Sequence, residues 1–104
     1  MSRRAFLLQL EPGAAGEFVL RHQTAWAELT LALREHGVSV YSLFHEPGSN
    51  HLFGYVEVAS DEAWRAVQEA PVYRRWGRFL SDLVVPDAGG GAGAKPLREV
   101  FHLD

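Results

Sequence analysis

The side chains in this sequence that could do chemistry are five histidines, three tyrosines and three tryptophans, with no cysteine beside them. His22 stands out among them, in the stretch "RHQTAWAEL" from Arg21 to Leu29. On a helix turning about 100° per residue it shares one sector with Phe18, Ala25, Trp26, Leu29, Ala32 and Leu33. That apolar sector is the face expected to be buried, Trp26 included. An imidazole has an unperturbed pKa of about 6.5 and gives or takes a proton near neutrality. Among aromatics it is either a core histidine bonded to a carbonyl or a proton-transfer group in a pocket. Residue types and spacing leave both open.

Tyr41 and Trp76 extend the second reading. Tyr41 projects from a strand and meets the helix face carrying His22 if the two layers pack. Trp76 offers a flat apolar surface with one N–H donor. Histidine, tyrosine and tryptophan together suit a carbohydrate, whose C–H faces stack on rings and whose hydroxyls need polar edges. Trp64, on an amphipathic segment, reads as ordinary packing. His36, His45, His51 and His102 show neither His-x3-His nor His-Glu-x-x-His spacing, so no metal site is expected. Arg74, Arg75 and Arg78 form a basic patch that reads as a solvated face paired with nearby acids.

The elements that must position these residues follow from patterning. "RRAFLLQLE" is a short apolar run stopped by Pro12-Gly13, a strand. A helical period runs from Ala14 to about His36 and is closed by Gly37. "VSVYSLFH" (Val38–His45) and "HLFGYVEVA" (His51–Ala59) flank the turn sequence "EPGSN", an antiparallel hairpin. Alternation puts Tyr41 and Leu43 on one face, with Val40, Ser42 and Phe44 on the other. Ser60 is a helix N-cap, with Asp61 and Glu62 in the first turn. Pro71 suits the start of a further helical segment, "PVYRRWGRFLSDLV". A Gly/Ala-rich linker over 88–95 precedes the last apolar run, "LREVFHL", expected as a final strand. Its glycines lack the Gly-Lys-Ser/Thr of a phosphate loop.

The order β-α-β-β-α-β is the ferredoxin-like α+β arrangement: a four-stranded antiparallel sheet with helices on one face. The 104 residues are expected to form a single domain. The helix-free face must meet water, ligand or another subunit, so a homodimer is expected, and the linker would let the last strand pair with a neighbouring subunit. A formal net charge of −3 argues against a nucleic-acid partner. The absence of cysteine excludes disulfides and thiolate chemistry. "AFLLQL" is too short for a signal-peptide core or a bilayer span, so no membrane is involved and a cytoplasmic protein is expected.

From "RRAFLLQLEP" through "RHQTAWAEL", "LREHG", "YSLF", "LFGYVEV", "RRW" and the terminal "LREVFHL", the chain resembles the L-rhamnose mutarotase family over nearly its whole length. The resemblance implies an isomerase of carbohydrate metabolism that interconverts the α and β anomers of L-rhamnose or a similar 6-deoxy aldose. It also implies a dimeric α/β-barrel-type assembly and no cofactor or metal. It places the proton-donating histidine at His22, a substrate-contacting tyrosine at Tyr41 and the first of two tryptophans at Trp76. Two positions depart from it: Phe18 replaces a tyrosine one helical turn before the histidine, and Gly77 replaces the second tryptophan. Both count as substrate-binding positions with altered chemistry. The rival readings are a cofactor-free monooxygenase on the dimeric α/β-barrel scaffold and a non-catalytic dimer binding an apolar ligand.

Mutarotation suits these residues. A proton must reach the ring oxygen as C1–O5 breaks, and another must leave the anomeric hydroxyl. The open aldehyde then turns about C1–C2 and recloses on its other face. His22 is expected as the acid, with Tyr41 or a water handling the second proton.

Overall fold

The computed structural model of the chain describes residues 1–86 and 94–104. Strands β1 (Ser2–Gln9), β2 (Val38–Glu46), β3 (His51–Val58) and β4 (Lys95–Leu97) alternate with helices α1 (Ala15–Glu35), α2 (Asp61–Glu69) and α3 (Pro71–Leu80). A 3-10 turn at Ser81–Leu83 follows α3. The strands form one antiparallel sheet in the order β2-β3-β1-β4. This is the expected ferredoxin-like α+β sheet, with helices over one face.

Local chemistry sets the boundaries. Gly37 ends α1 at φ +91°, a backbone that costs glycine least. The Ser60 side chain accepts the Ala63 amide at 3.0 Å and caps α2. Pro71 opens α3 at a position where no amide donor is needed, and so turns the chain between the two helices.

The core lies between the sheet and the helices. Leu10, Phe18, Leu29, Leu33, Leu52, Val56, Val58, Val67, Trp76 and Leu80 are buried there. The pairing of β2 with β3 shifts register between Val38 and Val40. This bulge resets the alternation, so Val38 and Tyr41 both face the helices while Val40 stays exposed. Phe6 pairs with Gly54 across β1 and β3. A Cβ on Gly54 would fall 2.1 Å from the Phe6 Cζ, so only glycine lets that ring lie across the strand. The seated ring then packs toward Tyr41, with centroids 6.3 Å apart.

Two expectations are corrected. The last strand is Lys95–Leu97, not "LREVFHL"; of the run 97–103 only Leu97 belongs to it. The edge of β1 pairs three residues, Ala5 to Leu7, and Pro96 is tolerated because β4 is itself an edge. Beyond it Val100, Phe101 and Leu103 stand exposed, with nothing among the described residues packed over them. The 88–95 linker lies outside the described residues over 88–93, and its last residue, Lys95, already belongs to β4. The second correction is Trp26, which is 47% exposed. The buried stripe of α1 runs through Phe18, Leu29 and Leu33 and is narrower than the apolar sector, leaving Trp26 at its margin.

Candidate active site

Phe18 and His22 are one turn apart on α1 and therefore stand on the same face. Phe18 is buried at 4% exposure, and His22 is half-buried beside it, ring centroids 4.4 Å apart. His22 Nδ1 lies 2.8 Å from the Phe18 carbonyl oxygen. A carbonyl only accepts, so Nδ1 carries the proton and donates it. The neutral ring then presents Nε2 as an acceptor. Trp76, buried on α3, stands edge-on to the imidazole at 4.8 Å and 85°. Phe79 continues the aromatic row, 5.6 Å from Trp76.

Arg21, adjacent to His22, holds α1 against the end of α3. Its guanidinium donates to the Phe79 carbonyl at 2.7 Å and to both Asp82 oxygens at 2.7 and 3.1 Å. It donates also to Glu17 at 3.0 Å and lies 5.3 Å over the Phe79 ring. Bonding to Arg21 keeps the Asp82 carboxyl below the ordinary aspartate range. The arginine thus anchors the end of α3 that carries Phe79, whose ring packs on the Trp76 that meets the imidazole.

Tyr41 comes from β2 and its hydroxyl lies 3.2 Å from that of Tyr73 on α3. Burial is the main reason both phenols hold their protons above the ordinary tyrosine range. Tyr73 is also edge-on to Trp64, at 6.1 Å and 71°. Gly77 follows Tyr73 by one turn, and a Cβ built on it meets nothing within 4 Å. A cavity of about 250 Å³ opens between α1 and α3, lined by Glu28, Leu29, Val72, Arg75, Trp76 and Phe79. Of the five residues expected at the site, Trp76 lines it.

Phe18, His22 and Trp76 therefore meet as one cluster. Tyr41 sits against Phe6 and Tyr73, while Gly77 is exposed on α3 and joins neither group. Sequence patterning overlooked Tyr73, although it lies one turn from both Trp76 and Gly77 on the helix. It gave no task to Arg21, which the bridge to Asp82 now provides. Of the basic patch, Arg75 pairs with Glu28 on α1. Among the described residues, no three His, Asp or Glu side chains are gathered as metal ligands.

Burial lowers the His22 pKa from the ordinary 6.5, and the bond to the Phe18 carbonyl pushes partly back upward. The neutral ring therefore dominates at neutral pH.

The sequence matches the L-rhamnose mutarotase family profile over residues 3–103. An L-rhamnose mutarotase from Opitutus terrae is 38% identical over 104 residues, covering all of both chains. One from Escherichia coli is 36% identical, covering 99% of each. The crystal structure of an L-rhamnose mutarotase from Formosa agariphila superposes with a TM-score of 0.81 at 30% identity, covering all of both chains. A putative antibiotic biosynthesis monooxygenase from Nitrosomonas europaea reaches a TM-score of 0.68 at 11% identity over 91% of this chain and 84% of its own, a likeness of fold alone.

An NMR titration of the His22 ring protons is expected to give a midpoint below 6.5, protonation being opposed by burial. A midpoint above that value would contradict this electrostatic environment.

Proposed function

The chain belongs to the L-rhamnose mutarotase family, and from that premise we propose how its own residues interconvert sugar anomers. It is an isomerase acting on the anomers of a monosaccharide, L-rhamnose. The observation that carries the mechanism is the Nδ1–H bond from His22 to the Phe18 carbonyl, because it supports Nε2 as the atom that meets the sugar.

His22 begins as a base. Nε2 takes the proton of the anomeric hydroxyl, the O1–H electrons become the second C1–O1 bond, and the C1–O5 pair leaves with O5. The imidazolium then returns the same proton to O5, giving the open aldehyde. Rotation about C1–C2 presents the other carbonyl face, and the same steps in reverse close the ring. One group near neutrality thus serves as base and acid in turn, an effect typically worth about 10²–10⁴-fold. The half-buried setting favours this order, since the resting ring is neutral.

Tyr41 and Trp76 are substrate contacts in this reading. The Tyr41 hydroxyl keeps its proton, so it serves as a hydrogen-bond partner for a sugar hydroxyl rather than as a base. Trp76 supplies an apolar wall beside the imidazole. Phe18 offers the sugar a ring without a hydroxyl, and Gly77 offers room. These two positions set the preference among 6-deoxy aldoses. The likeness to monooxygenases at 11% identity does not extend to their chemistry.

A second copy of this chain completes the assembly. Phe44 and Phe53 pair across β2 and β3 on the helix-free face, 60% and 42% exposed, and the apolar tail after β4 is uncovered as well. Burying both against the same surfaces of a partner fits a two-fold dimer, the tail reaching across. No helix among the described residues is long and apolar enough to cross a membrane. We read the enzyme as cytoplasmic.

His22→Asn keeps a donor for the Phe18 carbonyl and removes Nε2. Saturation-transfer NMR on L-rhamnose is expected to show anomer exchange reduced by about two orders of magnitude or more, with thermal stability nearly unchanged. Exchange at the wild-type rate would refute the role given to His22. Light scattering is expected to give twice the chain mass, and a monomer at micromolar concentration would refute the dimer.

A further inference from the structure

We propose that Tyr73 is a positioning residue of this site: bonded to the Tyr41 hydroxyl, it aims the pair's remaining O–H donor at a hydroxyl of the bound aldose. The proposal rests on the reading of Tyr41 as a sugar contact and adds to it a residue from another element.

The two phenols arrive from opposite layers, Tyr41 from the sheet and Tyr73 from α3, and their oxygens meet at 3.2 Å. Each ring is held by an aromatic neighbour, Phe6 against Tyr41 and Trp64 against Tyr73. Both pack against the apolar core, where phenylalanine would fill nearly the same volume without a polar atom to satisfy. Two hydroxyls carry two donors, and their mutual bond uses one donor and one acceptor. Among the described residues that mutual bond is the only hydrogen bond either hydroxyl makes. One O–H therefore remains unspent in a half-apolar layer, where an unmet donor is costly.

Position 77 follows Tyr73 by one helical turn and so stands on the same side of α3, and Gly77 leaves that side open. On the reading of Tyr41 as a sugar contact, an aldose hydroxyl that reaches the pair meets this free donor. A phenol O–H rotates about its C–O bond unless a neighbour fixes it. With Tyr73 present, either oxygen donates to the other, and the pair as a unit points one donor outward. Without it, the Tyr41 hydroxyl turns freely, and the sugar loses an oriented partner. Tyr73 acts through Tyr41 and leaves proton transfer at His22 untouched.

The test is a double-mutant cycle with Tyr41→Phe, Tyr73→Phe and both together. KM and kcat for L-rhamnose anomer exchange are measured by NMR, and thermal unfolding is followed for each protein. Tyr73→Phe is expected to raise KM roughly three- to tenfold, the range of one neutral hydrogen bond, with kcat within about twofold. Adding it to Tyr41→Phe is expected to change KM no further. If Tyr41→Phe raises KM while Tyr73→Phe does not, or if the two effects multiply, the inference is overturned and the Tyr41 reading stands. If Tyr41→Phe leaves KM unchanged, that reading fails and the inference falls with it. Should Tyr73→Phe fail to fold, Tyr73→Met removes the hydroxyl at similar volume and carries the same cycle.

Discussion

The hydrogen bond from His22 Nδ1 to the Phe18 carbonyl is the constraint on which the rest of the site depends. It joins two residues one turn apart on a single helix, so its geometry is set by α1 itself and needs no distant partner. It fixes the tautomer and with it the role of Nε2. It also ties the imidazole to Phe18, a deeply buried ring that cannot move without opening the core. The remaining contacts serve this arrangement. Trp76 closes one side of the ring, and Arg21 bridges to Phe79 and Asp82, holding α3 where that wall is needed. Burial then lowers the pKa, so the histidine rests in the form that accepts a proton.

The sheet positions Tyr41, and small features of it matter. Without the bulge between Val38 and Val40, the alternation that buries Val38 would turn Tyr41 outward. Without glycine at position 54, Phe6 could not lie across β3 and pack its tilted ring against Tyr41. These details link a backbone irregularity and a missing Cβ to the position of one phenol. A substitution far from the sugar, such as Gly54→Ala, therefore reaches the site through packing.

The fold was legible because its signals are local. A period near 3.6 marked α1, alternation marked the hairpin, and Ser60 and Pro71 marked the helix starts. The face that His22 shares with Phe18 followed from the same period, and the pairing with Trp76 from the resemblance. Less legible were features created by pairing between distant residues. Tyr41 and Tyr73 are 32 positions apart, and Arg21 and Asp82 are 61 apart. No spacing rule joins either pair. The last strand was misplaced because "LREVFHL" has the composition of a buried strand, whereas the free edge of β1 offers only three residues to pair with. Trp26 was assigned to the core because hydrophobicity sets the width of a sector, while only packing sets how much of it is covered.

Phe18 and Gly77 stand where the resemblance expects a tyrosine and a second tryptophan, and in the proposed mechanism neither side chain carries the proton. Phe18 contributes its carbonyl to His22 whatever its side chain, so the tautomer survives the loss of a phenol hydroxyl. Gly77 is exposed, and a Cβ built on it meets nothing within 4 Å. The proposed role of His22 rests on the tautomer of one ring, and a long-range ¹H–¹⁵N correlation spectrum of His22 at neutral pH reads that tautomer. The expected result is a protonated Nδ1 and an unprotonated Nε2, with the Nε2 resonance shifting when L-rhamnose is added. A ring protonated at Nε2 instead, unmoved by the sugar, would contradict it.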